Sequence, residues 1–121
     1  MRCLGYTTKF KNLVTQLNTQ FEFDINEIDQ ITFMKYMEPH LDVGAGHFSW
    51  HVDCGYGESA RRKISISIAL NDSHDFEGGD FLYFYRGPLN LGGCSAGTAL
   101  SMPSYVSHRV TPVSKGTRDR E

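Results

Sequence analysis

The chain has 121 residues, is 40% hydrophobic and 21% charged, and carries 8 Phe, 6 Tyr, 1 Trp and a formal net charge of −2. That length predicts one domain able to bury about two-thirds of its unfolded surface, and the near-neutral charge gives no basic footprint for a nucleic-acid backbone. No apolar run approaches the ~20 residues of a membrane-spanning helix, and the opening MRCLGYTTKF has neither an apolar signal core nor a cleavage site, so a cytoplasmic protein with no membrane partner is expected.

In chain order, TTKFKNLVTQLNTQF places Phe10, Leu13, Val14 and Leu17 at i, i+3, i+4 and i+7. This predicts an amphipathic helix over about residues 8–19, with Thr7 or Thr8 as N-cap. After FDINEID the period changes: ITFMKYM alternates as a strand, and MEPHLDVGAG breaks it with Pro39, Gly44 and Gly46. The stretch GHFSWHVDCG is read as extended, which puts His51 and Asp53 on one face and Cys54 on the other. RRKISISIALND is the clearest strand; Ile64, Ile66, Ile68 and Leu70 are expected to meet a core, while Ser65, Ser67 and Ala69 leave room on the opposite face. NDSHDFEGGD reads as a loop, FLYFY as a strand, and RGPLNLGGCSAG as an irregular Gly-rich stretch, followed by short extended pieces in GTALSMPS, SHRVTPV and TRDR. One helix followed by many short strands predicts a mainly β fold, a small sandwich or jelly roll, as a single domain over 1–121 with its β-barrel at about 31–118. The three cysteines, Cys3, Cys54 and Cys94, form no C-x-x-C pair and indicate neither a disulfide framework nor a zinc knuckle.

His51 and Asp53 are half of a metal site or a polar pair at a strand end. Among the other histidines, His40 follows Pro39 in a turn and His74 lies in a polar loop, so both read as solvated. His47 shares the strand-face spacing of His51, and His108 lies in the apolar, β-branched stretch PSYVSHRVTPV. H-x-D with one distant His is the pattern of non-haem Fe(II) held by two histidines and a carboxylate. Three protein ligands leave positions for O₂ and a bidentate co-substrate such as 2-oxoglutarate, whose far carboxylate needs a cation. Arg118 follows His108 by ten residues. If Ser114, Lys115 and Gly116 form a hairpin turn, Arg118 faces Pro112, about 13 Å along the strand from His108. An arginine fork suits a carboxylate, although Arg109, Lys115 and Arg120 are nearby alternatives.

The ordered set HFSWHVD, RRKISISIALND, DFEGGDF, AGTALSMPS and HRVTPVSKGTR resembles the catalytic domain of Fe(II)- and 2-oxoglutarate-dependent dioxygenases of the prolyl 4-hydroxylase type, over about residues 31 to 118. The resemblance implies a double-stranded β-helix in which His51, Asp53 and His108 bind iron and Arg118 binds the 5-carboxylate of 2-oxoglutarate. It also implies hydroxylation of a substrate C–H bond, with O₂ and 2-oxoglutarate converted to CO₂ and succinate and ascorbate as the supporting reductant. A tyrosine on the strand before H-x-D helps hold the co-substrate in that family; the counterpart here is Tyr36, after a longer turn than usual, with Asp42 and Val43 closer in. The family continues past the arginine with more strand residues, whereas this chain stops at DRE, so the strand carrying Arg118 is expected to be truncated and frayed. Two other readings stand beside this one: a catalytically silent metal-binding β-barrel module, and a zinc hydrolase, for which no general base stands out. The substrate is not legible; protein prolyl groups, free amino acids and nucleobases all fit, and Trp50, Tyr56 and loop 86–97 are candidates to line an entrance. Trp50 reads as structural, because its side chain points away from His51.

Overall fold

A computed structural model describes residues 2–29, 31–40, 44–90 and 94–121. Its backbone contacts divide the chain into two units, Met1–Gln30 and Ile31–Glu121. The first unit is built on α1, Arg2–Asn18. Phe10, Leu13, Val14 and Leu17 form its half-buried stripe, while Lys11, Asn12, Thr15 and Gln16 are exposed, as the i, i+3, i+4, i+7 spacing predicts. The helix starts earlier than expected and runs through Thr7 and Thr8, so neither is its N-cap. Its end is set by Asn18, whose side chain donates to Phe23 O at 2.7 Å and accepts from Phe23 N at 2.9 Å. Those bonds fold the chain back through Glu22, which takes a left-handed φ of 56°.

The second unit is mainly β. Its described strands are β1 (Met34–Met37), β2 (Phe48–His51), β3 (Ile64–Ile68), β4 (Phe76–Gly78), β5 (Phe81–Phe84), β6 (Pro88–Asn90), β7 (Ala99–Pro103), β8 (His108–Val110) and β9 (Val113–Arg120). They pair antiparallel in three sheets, β1-β9-β4, β2-β8-β5-β6 and β3-β7, which do not close into a continuous barrel. All three sheets contribute to one core: Tyr36, Phe81, Val110 and Val113 are buried there, with Met34, Phe76, Tyr83, Leu100 and Met102 packed against them. This is the arrangement expected of a jelly roll, in which facing sheets share their inner side chains.

Two expectations are corrected. On β3 it is the small residues that face inward. Ser65 pairs with Met102 and Ser67 with Leu100, directly paired residues share a face, and Leu100 and Met102 pack on the core. Ile64, Ile66 and Ile68 are therefore on the other face and only half-buried, and Leu70 is exposed. The reason is polar: Ser67 Oγ accepts from Arg120 Nε at 3.0 Å and Ser65 Oγ bonds Ser104 Oγ at 3.0 Å, so buried groups that need partners find them on this face.

The second correction concerns β9. Ser114, Lys115 and Gly116 form no hairpin turn; they lie within an eight-residue strand. The chain instead changes sheets at residues 111–112, where Thr111 N bonds Asp80 O at 2.9 Å and Gly79 N bonds Pro112 O at 3.1 Å. Gly116 lets the strand pass close to β4, because it takes a left-handed φ of 78° and any Cβ there would lie 3.0 Å from Phe76 Cα. Nor is the strand frayed: Tyr36 pairs with Arg118 and Met34 with Arg120 on one side, Phe76 with Gly116 on the other, and Glu121 N bonds Ile68 O at 2.9 Å.

Candidate metal centre

β2 and β8 place His51 opposite His108, after a register shift between Phe48 and His51 that turns the later residue toward its partner. The imidazole centroids are 4.1 Å apart. Asp53 follows the end of β2, its backbone N held by Ser104 O at 2.9 Å. Its Oδ1 lies 3.4 Å from His51 Nε2 and 3.5 Å from His108 Nε2. One donor atom from each of the three residues falls within a span of 4.8 Å.

Hydrogen bonding decides which nitrogens face the site. His51 Nδ1 is 2.6 Å from Ser49 O, and His108 Nδ1 is 2.9 Å from Val106 O. A carbonyl oxygen only accepts, so Nδ1 is the donor in each ring and Nε2 is the nitrogen turned toward Asp53, the one left free to bind a metal. Two imidazole nitrogens and a carboxylate thus converge on one point, an arrangement that a cation completes. The donor set, two nitrogens and one oxygen, suits Fe(II). Aromatic rings pack on both imidazoles: Phe81 stacks on His108 at 5.4 Å and Phe48 lies against His51 at 3.9 Å. His40, His47 and His74 are exposed and stand outside the cluster, as does Cys54.

A second feature of the β unit is cationic. Arg118 and Arg120, two apart on β9, share one strand face and are each 4% exposed. Both line a cavity of about 140 Å³ together with Asn71, Gly79, Phe81 and Cys94. Phe81 therefore connects the two features, lining the cavity and stacking on His108. The Arg118 guanidinium lies over the Tyr36 ring at 5.1 Å, while the Tyr36 hydroxyl donates to Met34 Sδ at 3.4 Å. Burial, then the like charge of Arg120, lowers the Arg118 pKa to about 10; burial likewise raises that of Tyr36. Gly79 makes room for this arginine: a Cβ there would lie 2.9 Å from Arg118 Cδ, at a φ of 60°.

Of the alternatives to Arg118, Lys115 is exposed, and Arg109 alternates to the opposite face of β8 from His108, 5.9 Å from the Trp50 ring. Arg120 shares the cavity, which the sequence did not distinguish because its partner Ser67 is 53 residues away. Trp50 meets Phe84 edge-on at 6.1 Å, and Tyr56 is fully exposed. Asp42, Val43 and residues 91–93 of loop 86–97 lie outside the described residues.

An antiparallel β fold that brings together a His-x-Asp and a distant His, and buries an arginine in the same core, is the arrangement of a class of non-haem iron proteins. Residues 31–120 match the family model of the 2OG-Fe(II) oxygenase superfamily, and the chain belongs to that superfamily. It is 35% identical over 78 residues to a PKHD-type hydroxylase of Synechococcus sp. (strain CC9902), covering 64% of this chain and 34% of that protein. Similarity to a PKHD-type hydroxylase of Hyphomonas neptunium is 33% identity over 81 residues, 62% of this chain and 36% of the relative. A third, from Idiomarina loihiensis, is 27% identical over 92 residues, covering 76% and 39% respectively. The chain spans about a third of the length of the first two relatives.

Proposed function

We propose that this chain is an Fe(II)- and 2-oxoglutarate-dependent dioxygenase domain of the prolyl 4-hydroxylase kind. The observation that carries the reading is the convergence of His51 Nε2, His108 Nε2 and the Asp53 carboxylate, with both Nδ1 protons committed to backbone carbonyls. In this reading those three residues hold Fe(II), and Asp53 offsets part of its charge. Bound iron supplies the oxygen activation that couples conversion of 2-oxoglutarate to succinate with hydroxylation of a substrate C–H. Arg118 receives the far carboxylate of 2-oxoglutarate through its two-pronged fork, and Tyr36 supports the guanidinium with its ring rather than reaching the co-substrate with its hydroxyl. Phe81 borders both the anion pocket and His108, and so lies alongside the path a co-substrate would take between them. Ascorbate is the reductant that keeps the iron ferrous, and the domain acts in the cytoplasm; among the described residues no helix is long and apolar enough to cross a membrane.

A zinc hydrolase would leave the buried arginine without a task, and the full pairing of β9 removes the reason to read a silent module. The deciding experiment is succinate release from 2-oxoglutarate by the chain supplied with Fe(II) and ascorbate. Release is expected from the parent protein and not from Asp53→Ala or Arg118→Ala; no release from the parent, despite stoichiometric Fe(II) binding, would sink the proposal.

A further inference from the structure

The co-substrate reading uses one arginine, yet two guanidinium groups are buried against the same cavity. Among the described residues no carboxylate lies within ion-pair distance of either one. Asp80, which also lines the cavity, is exposed and is the weakest of the influences on Arg118. Arg118 has a ring against its face and no acceptor for its fork among the described residues. Arg120 is oriented by Ser67, with Nε donating to Ser67 Oγ at 3.0 Å and Nη2 to Ser67 O at 3.3 Å, and Cys94 lies beside it. None of these partners is a carboxylate. The cavity thus presents two desolvated positive charges, whereas the distal end of 2-oxoglutarate brings a single negative one. Burying an uncompensated charge is costly, so a ligand that supplies the second negative charge gains most.

We propose that Arg120 is a specificity-determining residue that, together with Arg118, makes this cavity a receptor for the terminal anionic group of a short diacid and favours a doubly charged terminus over a carboxylate. The proposal rests on the co-substrate reading for the identity of the natural ligand, but not on the iron. Its test therefore uses the metal-free protein at pH 8.5, with succinate and 3-phosphonopropanoate as probes, which share a chain length and differ in terminal charge.

Calorimetry should show the phosphonate binding more tightly than succinate, by a factor on the order of ten for one added charge at close range in a partly desolvated site. Arg120→Gln should reduce that preference to near unity, and Arg120→Lys, which keeps the charge and loses the fork to Ser67, should preserve most of it. Arg118→Met should abolish binding of both probes. An Arg120 that served the fold alone would show otherwise: Arg120→Gln would lower the unfolding midpoint and leave the preference intact, and that result overturns the proposal. Equal affinity of the two probes for the parent protein overturns it as well, while binding that still depends on Arg118 would leave the co-substrate reading standing. Failure of Arg118→Met to weaken either probe would remove both.

Discussion

His51 and His108 use the same device, a Nδ1 bond to the carbonyl two residues upstream. The backbone itself thereby sets the tautomer that a metal needs, and the site does not depend on a distant carboxylate to orient its rings. His51→Ala, Asp53→Ala and His108→Ala should each abolish tight Fe(II) binding in a metal titration, while His40→Ala, His47→Ala and His74→Ala, changed at exposed positions outside the cluster, should leave it unchanged. Loss of binding in His47→Ala with His108→Ala unaffected would reverse the assignment. The His51–Asp53 half of the cluster was legible because residues two apart in an extended stretch share a face, although Asp53 itself lies just past the end of β2. His47 has the same parity in sequence, and only the irregular register between Phe48 and His51 separates them. Gly79 was not legible as a site residue, since its constraint is an arginine 39 positions away. Gly79→Ala should cost about 1–3 kcal/mol from its left-handed backbone, and should weaken 2-oxoglutarate binding by displacing Arg118, which equilibrium dialysis would register.

Among the elements, β3 and β9 carry the lesson of what alternation can and cannot say. The period of ISISI predicts a strand, and a strand forms over Ile64–Ile68. Periodicity alone does not say which face is inside; the usual inference from hydrophobicity fails because the interior here holds a buried guanidinium that needs Ser67. Ile66 is half-buried, so Ile66→Ala should cost about 1–2 kcal/mol, less than the ~2–5 kcal/mol of a fully buried aliphatic. Ser67→Val, one methyl larger and without the hydroxyl acceptor, should cost about 1–3 kcal/mol by stranding the Arg120 Nε donor. Urea unfolding of the two variants tests the faces: a loss at Ile66→Ala well above about 2 kcal/mol, in the range of a fully buried aliphatic, with none at Ser67→Val, would return the isoleucines to the core. The continuity of β9 was hidden for another reason. Ser-Lys-Gly reads as a turn by composition, and it is the pairing of Lys115 with Glu77 and of Gly116 with Phe76, far upstream on β4, that keeps it within a strand.

For the whole β unit, the arginine pair opposes stability to binding. A mainly β fold with one helix was legible from spacing alone, but a core with two cations buried in it was not, because nothing local in TRDRE distinguishes an inward arginine from a solvated one. In the folded chain Arg118 is surrounded by Arg120, Tyr36, Cys94 and Asp80, and burial lowers its pKa to about 10 from the ordinary arginine value. The sign follows from proton counts: between those values the unfolded chain binds more protons, so stability rises with pH there, and the full penalty of burying the charge applies below about pH 10. Arg118→Met removes that penalty and keeps most of the packing volume. It should therefore be at least as stable as the parent without ligand, by about 1 kcal/mol where the methionine packs well, while losing affinity for 2-oxoglutarate. Saturating co-substrate should reverse the order, since a ligand at a hundred times its Kd adds about 2.7 kcal/mol to the parent alone. Urea unfolding of both proteins at pH 8, with and without 2-oxoglutarate, and again at pH 10.5 without it, would check each part. The ligand-free advantage of Arg118→Met should shrink at the higher pH, where the parent's buried arginine begins to lose its charge. An advantage that grew with pH, or a variant much less stable than the parent at pH 8, would mean that Arg118 holds this fold together rather than being held in place by it.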